Sequence, residues 1–159
     1  MPPEVLADCR VLILGSLPGA VSLAQNQYYA HPRNQFWPIL AAVLEVDLVS
    51  LDYPARIKAI NARGIGLWDC IASATRKGSL DGAIRAAQAN ALSAFVGEMS
   101  DLRAVAFNGA KAETIGLAQL GAATEFTQLP LPSTSPAHTL PLSQKIAAWQ
   151  ALGRFTAPP

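Results

Sequence analysis

Tyr28, Tyr29, His31 and Asn34 fall together in the segment QYYAHPRNQFW. In a non-helical stretch these residue types could offer a flat stacking surface beside polar groups, an arrangement that suits an aromatic base. Ordinary structural uses compete: core packing for Tyr28 and Tyr29, a helix N-cap for Asn34, a surface turn for His31. As a chemical group, His31 is an acid or a hydrogen-bond donor. Upstream lies GSLPG, where Gly15 and Gly19 let backbone come close to a ligand and Pro18 stiffens the path. This loop lacks the Lys and Ser/Thr of a nucleoside-triphosphate loop and the third glycine of a dinucleotide fingerprint.

Downstream, PSTSPAH supplies the hydroxyls of Ser133, Thr134 and Ser135 on a rigid turn, a set that suits phosphate contact. His138 closes the segment, either as part of a binding wedge or as an exposed loop histidine. Asn108 ends a short apolar run and offers an amide donor. Asp69, after Trp68, is the one carboxylate within these motifs; it could serve as a base, but bonding to loop N–H groups is the preferred reading. Arg76 and Lys77 form an adjacent basic pair, read as a phosphate contact against the alternative of plain surface charge.

The elements that must position these residues alternate β and α. The run RVLIL, Arg10 to Leu14, is too continuously apolar for a strand with one wet face, so it reads as buried parallel sheet. Phe36, Ile39, Leu40, Val43 and Leu44 share one helical face, with Pro38 early enough to be tolerated. A helix over Pro54 to Arg63, stopped by Gly64, leads into the apolar segment IGLWDCI, the second strand. SATRKGSLDG reads as turn, and Leu92, Phe95, Val96 and Met99 mark a helix before a third strand, Ala104 to Phe107. A helix from Ala110 to Leu120, a fourth strand in EFTQLPL and a last helix carrying Ile146, Trp149 and Leu152 complete the chain. This order predicts an α/β fold, a four-stranded parallel sheet between helical layers, in which the strand-end loops converge on one edge.

With 159 residues, 51% of them hydrophobic, the chain is expected to form a single domain over 1–159 with one substantial core. No run approaches the roughly 20 apolar residues of a membrane span, and the N-terminus lacks a secretory layout; a soluble, cytoplasmic protein is expected. Cys9 and Cys70, both flanked by apolar residues in expected strands, suit buried thiols more than a disulfide. The two cysteines and two histidines have no metal-ligand spacing, so chemistry without metal or cofactor is the default. A formal charge of +1 provides no basic excess for a nucleic acid, although backbone N–H and hydroxyl groups can also hold phosphates.

In GSLPG followed by YAHPRNQFW, and in LPSTSPAH, the sequence resembles the uracil-DNA glycosylase superfamily, the two words being similar to the two motifs of its mismatch-specific branch. Together with GLWDCIASATRKGSLDGAI and FNGAKA they resemble the hypoxanthine-DNA glycosylase branch, and the likeness runs from about Val11 to the final helix. The resemblance implies a three-layer α/β/α fold around a four-stranded parallel sheet. It also implies a monofunctional enzyme that flips a damaged nucleotide and hydrolyses its glycosidic bond without cutting the strand. At one position the chain departs from the mismatch-specific branch, which has a water-positioning asparagine where this sequence has Leu17. The hypoxanthine branch also lacks a polar residue there, and the resemblance carries that role to Asn34.

The resulting expectation is a monomeric enzyme acting on DNA that contains a deaminated base. Asn34 would orient water with help from His31. Ser16 and Leu17 backbone with Asn108 would read the base, and Tyr29 would stack on it. Ser133, Thr134, Ser135, His138, Arg76 and Lys77 would contact DNA. Three other readings stay open: a uracil-preferring glycosylase, a nucleic-acid-binding module without catalysis, and a serine hydrolase using Ser16 with His31 or His138 and Asp69. GSLPG is not the GxSxG elbow that the last would need.

Overall fold

Val11–Gly15 (β1), VLILG, is buried along its whole length, as expected of a strand covered on both faces. In a computed structural model, which describes residues 1–76, 84–122 and 124–158, β1 lies inside a parallel sheet. It pairs on one side with Ile65–Asp69 (β2) and on the other with Ala104–Asn108 (β5), which in turn pairs with Thr127–Leu131 (β6). The order β2-β1-β5-β6 gives the predicted four-stranded, all-parallel sheet.

Alternate residues of β1 feed two separate cores. Val11 and Ile13 pack with Phe36, Leu40, Ile60 and Trp149, whereas Leu12 and Leu14 pack with Leu92, Val96, Phe107 and Ala112. The first group belongs to helices Phe36–Leu44 (α2), Tyr53–Ala62 (α3) and Leu142–Trp149 (α6). The second involves Leu92–Gly97 (α4) and Ala110–Leu120 (α5). The predicted α/β/α layering is thus present, and Ile13→Ala, at the centre of one core, would cost about 2–5 kcal/mol. On the other side, a Cβ on Gly116 would run into the Phe107 ring, so α5 sits on β5 at glycine distance.

Ala20–Gln25 (α1) is a short helix in a stretch for which no element was predicted. The second strand stops at Asp69, and Ile71–Arg76 (β3) pairs antiparallel with Ile84–Ala89 (β4) in a separate two-stranded sheet. Ser73 to Arg76, read as turn, is therefore strand; residues 77–83 lie outside the described residues. Cys70 leaves the sheet because its N–H donates to Gly15 O and that of Ile71 to Ser16 O, which turns the chain along the loop after β1. Cys9 also lies outside any strand. Both thiols are nevertheless buried and free, with Sγ donating to Val11 O and Ala112 O respectively. No helix among the described residues is long and apolar enough to cross a membrane.

From β1 the chain crosses by way of α2 and α3 to β2; from β5 it crosses by way of α5, on the opposite face, to β6. The loops after β1 and β5 therefore diverge, which opens a crevice at the carboxyl edge of the sheet.

Candidate active site

A cleft of about 700 Å³ occupies that crevice. Its wall contains Ser16, Leu17, Tyr29, His31, Asn34, Asn108, Ser133, Thr134, Ser135 and His138, so the residues singled out from the first motif, the β5 end and the second motif come together. Arg76 ends β3, its side chain lying outside what the structure describes, and Lys77 lies outside the described residues. Tyr28, Ser22, Arg33 and Asp69 also line the cleft.

The aromatic segment is held from both ends. Ser22 Oγ in α1 accepts from the Ala30 N–H at 3.1 Å, and the Tyr28 N–H donates to Tyr53 Oη at 3.1 Å. Tyr28 itself is 2% exposed and its hydroxyl donates to Pro2 O, so its main use is packing. Tyr29 differs: its backbone is left-handed, φ 55°, a conformation costly for a bulky side chain. Its ring stacks on Phe36 at 3.8 Å, and its hydroxyl sits against Gly15, close to the Asp69 carboxylate. No group among the described residues gives that hydroxyl a well-formed hydrogen bond. Burial first, and the Asp69 charge second, push its pKa well up, while the neighbouring Asn108 amide acts in the opposite direction.

Residues 31–34 form a tight turn. The Asn34 N–H donates to His31 O at 2.8 Å, and the Arg33 N–H to His31 Nδ1 at 3.1 Å, which leaves Nε2 as the protonated nitrogen of a neutral ring. Asn34 Oδ1 accepts from the Phe36 N–H at 3.0 Å, satisfying one of the free donors at the start of α2. The N-cap position itself belongs to Gln35, one residue beyond the expected Asn34. The capping and functional readings of Asn34 are compatible, because its oxygen keeps a second lone pair and its amide nitrogen makes no hydrogen bond among the described residues.

Across the cleft, Thr134 is 1% exposed and locked to Asn108: Asn108 Nδ2 donates to Thr134 Oγ1 at 3.0 Å, and the Thr134 N–H to Asn108 Oδ1 at 2.9 Å. The Gln35 N–H donates to Thr134 O at 3.0 Å, which stitches the two motif loops together. Within the turn, the Ser135 N–H donates to Ser133 Oγ and the Ala137 N–H to Ser135 Oγ. Gly109, φ 96°, lets the two loops touch, since a Cβ there would lie 2.9 Å from that of Ser133.

Asp69 is 3% exposed at the base of the cleft, and its backbone oxygen accepts from Asn90 Nδ2 at 2.6 Å. The side chains of His31 and His138 pair with no serine hydroxyl or carboxylate among the described residues. No group of three or more His, Cys, Asp or Glu able to hold a metal occurs among the described residues. The cleft therefore offers oriented amides, hydroxyls and backbone N–H groups beside a tyrosine ring. Such a set can polarise a leaving group and hold a water molecule.

Known proteins fit this arrangement. The family model described as the uracil DNA glycosylase superfamily matches residues 2–153. A hypoxanthine DNA glycosylase of Methanosarcina barkeri is 40% identical over 110 residues, covering 69% of this chain and 70% of that protein. Another hypoxanthine DNA glycosylase, of Methanosarcina acetivorans, is 33% identical over 153 residues, 96% of each chain. A solution NMR structure from Methanosarcina acetivorans, named as a candidate uracil DNA glycosylase, superposes with a TM-score of 0.84 at 31% identity, covering 97% of this chain and 94% of that one. By fold and by sequence, the chain belongs to the uracil DNA glycosylase superfamily.

Proposed function

We propose that this protein is a monofunctional DNA glycosylase that hydrolyses the N-glycosidic bond of a flipped, deaminated base, namely hypoxanthine. It acts as a cytoplasmic monomer on DNA, without metal or cofactor. The names and identities of the relatives support the activity and the base. One observation carries the mechanism: Asn34 has its oxygen fixed by the Phe36 N–H and its amide nitrogen unused, in the cleft that also holds Tyr29 and the 133–138 turn.

Breaking the bond leaves negative charge on the departing base and an oxocarbenium-like sugar that water must meet. In this reading, backbone around Ser16 and Leu17 donates to the base as its charge develops, and Tyr29 covers its ring. Asn34 holds the water, and His31 beside it assists. Hypoxanthine presents a carbonyl oxygen where adenine presents an amino group. Asn108 has one amide proton beyond the one given to Thr134; it lies toward the Tyr29 hydroxyl, and turned to the base it would serve that carbonyl. An amino group there would leave a buried donor unpaired, at a cost of about 1–3 kcal/mol. Ser133, Ser135 and His138 would hold the flanking backbone, with Thr134 bracing the turn through Asn108, and Arg76 and Lys77 would add phosphate contacts.

The experiment is to incubate the protein with labelled duplexes containing inosine, uracil or only normal bases and then expose abasic sites with alkali. Alkali-labile product from inosine is expected. Product from uracil alone would transfer the assignment to a uracil enzyme, and DNA binding with no product from any strand would leave only a binding module.

A further inference from the structure

A lysine on a surface helix ordinarily lays its stem along the protein and leaves its ammonium in water. Lys145 in α6 is instead 0% exposed. Its Nζ donates to Gln35 Oε1 at 2.8 Å, to His138 O at 2.8 Å and to Ser135 O at 3.4 Å. All three acceptors are neutral. Burial lowers the lysine's pKa, and no carboxylate among the described residues opposes that shift.

These acceptors belong to the two segments that build the cleft. Gln35 lies between Asn34 and α2, whereas Ser135 and His138 belong to the turn after β6. One helical turn beyond Lys145, Trp149 Nε1 donates to Pro132 O at 2.9 Å. Helix α6 thus grips the turn from behind through the carbonyls of Pro132, Ser135 and His138. A grip alone does not require a charge, because an ammonium taken out of water is costly and three neutral oxygens do not cancel it.

We propose that Lys145 is a positioning residue for DNA, its buried charge completed by a phosphate seated on the opposite side of the 133–138 turn, where Ser133 and Ser135 offer their hydroxyls. This rests on reading that turn as a DNA contact. A positive charge fixed beside the phosphate backbone takes the place of a condensed counterion. It gives a chain of net charge +1 a local attraction for a polyanion without a basic surface patch.

The test is single-turnover base release from an inosine-containing duplex, followed against enzyme concentration at two salt concentrations, in the wild type, Lys145→Met and Gln35→Glu. Gln35→Glu leaves the ammonium and its grip in place but neutralises it, and an acidic residue at the start of α2 favours the helix. Gln35→Glu should raise the half-saturating concentration roughly five- to tenfold and flatten its salt dependence, with the maximal rate within about threefold of wild type. Lys145→Met removes charge and grip together and should raise that concentration at least as far. Wild-type behaviour of Gln35→Glu in both concentration and salt dependence would overturn the proposal, as would a loss confined to the maximal rate. If Lys145→Met does not fold, Gln35→Glu decides. A wild-type protein that releases no base from inosine removes the glycosylase reading and this proposal with it; an active wild type with an unaffected Gln35→Glu removes this proposal alone.

Discussion

Asn108 and Thr134 hold each other through both ends of the asparagine amide, with Nδ2 donating to Thr134 Oγ1 at 3.0 Å and Oδ1 accepting from the Thr134 N–H at 2.9 Å. The exchange joins the end of β5 to the turn after β6, two segments that are far apart in the chain and adjacent in the cleft. Any base reader at position 108 and any phosphate contact at 133–135 therefore share one rigid body.

Thr134→Val keeps the shape and removes the hydroxyl, leaving one amide proton of Asn108 against carbon. The expected loss is about 1–3 kcal/mol of stability, seen as a lower calorimetric melting temperature, together with slower base release. Thr134→Ser retains both bonds and should stay near wild type. Equal melting temperatures for the Val and Ser variants would show that the bridge contributes nothing.

Asn34→Ala loses both the Phe36 N–H contact and the amide in the cleft. Stability should fall by about 0.5–2 kcal/mol, as for a lost helix cap. Base release under single-turnover conditions should fall by at least about 10²-fold, a typical loss when a group that orients a reacting proton is removed. Asn34→Asp keeps the acceptor for Phe36 and should recover most of the stability, which separates folding from chemistry. Near-normal release by the folded Ala variant would take Asn34 out of the mechanism.

A Cβ at Gly15 would lie 2.6 Å from Asp69 Oδ1 and 3.3 Å from the Tyr29 hydroxyl oxygen. Gly15→Ala must therefore push the base of the cleft apart, at a cost of about 1–3 kcal/mol. A melting scan and a release assay on the same sample should both show the damage. Gly19→Ala meets nothing within 4 Å and serves as the matched control for the melting scan.

All three tyrosines and both cysteines have pKa values raised chiefly by burial: Cys9 to about 11, Cys70 and Tyr53 to about 12, and Tyr28 and Tyr29 further still. The unfolded chain releases these protons from about pH 9 upward, starting with the thiols, whereas the folded protein retains them. Their contribution to stability is fully present below that pH and is lost as pH rises through the folded values. Lys145 works in reverse, since the penalty on its buried charge is relieved as pH approaches the ordinary lysine value. Five groups oppose one, so the melting temperature should fall steadily above pH 9. Phenolate absorbance should appear mainly with unfolding; tyrosine ionisation in the folded protein well before the transition would contradict this.

The parallel sheet was legible because strands buried on both faces contain little but apolar residues, as in VLILG and AVAFN. The β3–β4 hairpin was hidden because IASATR and IRAAQA mix small and polar residues without clean alternation, and its register shifts twice. α1 is six residues long, too short for a periodic signal. The cleft residues were legible from motif words, since convergence follows from the topology once the sheet is parallel. Lys145 was not: on a helix with a wet face a lysine reads as solvent-facing, and its partner Gln35 is 110 residues away. Tyr28 and Tyr29 are adjacent, alike in sequence and both on the cleft wall, and only the backbone shows that Tyr29 alone is held in a left-handed conformation.

That twist has a consequence for anyone improving the protein. Glycine at position 29 would adopt φ 55° without penalty and relieve about 1–3 kcal/mol of strain, against which stands the loss of the ring's contact with Phe36. Selection for heat resistance alone would act on that balance blind to the substrate and could discard the aromatic surface proposed to cover the flipped base. A library screened for durability should therefore hold position 29 fixed, since at this residue the hardiest sequence and the working sequence need not coincide.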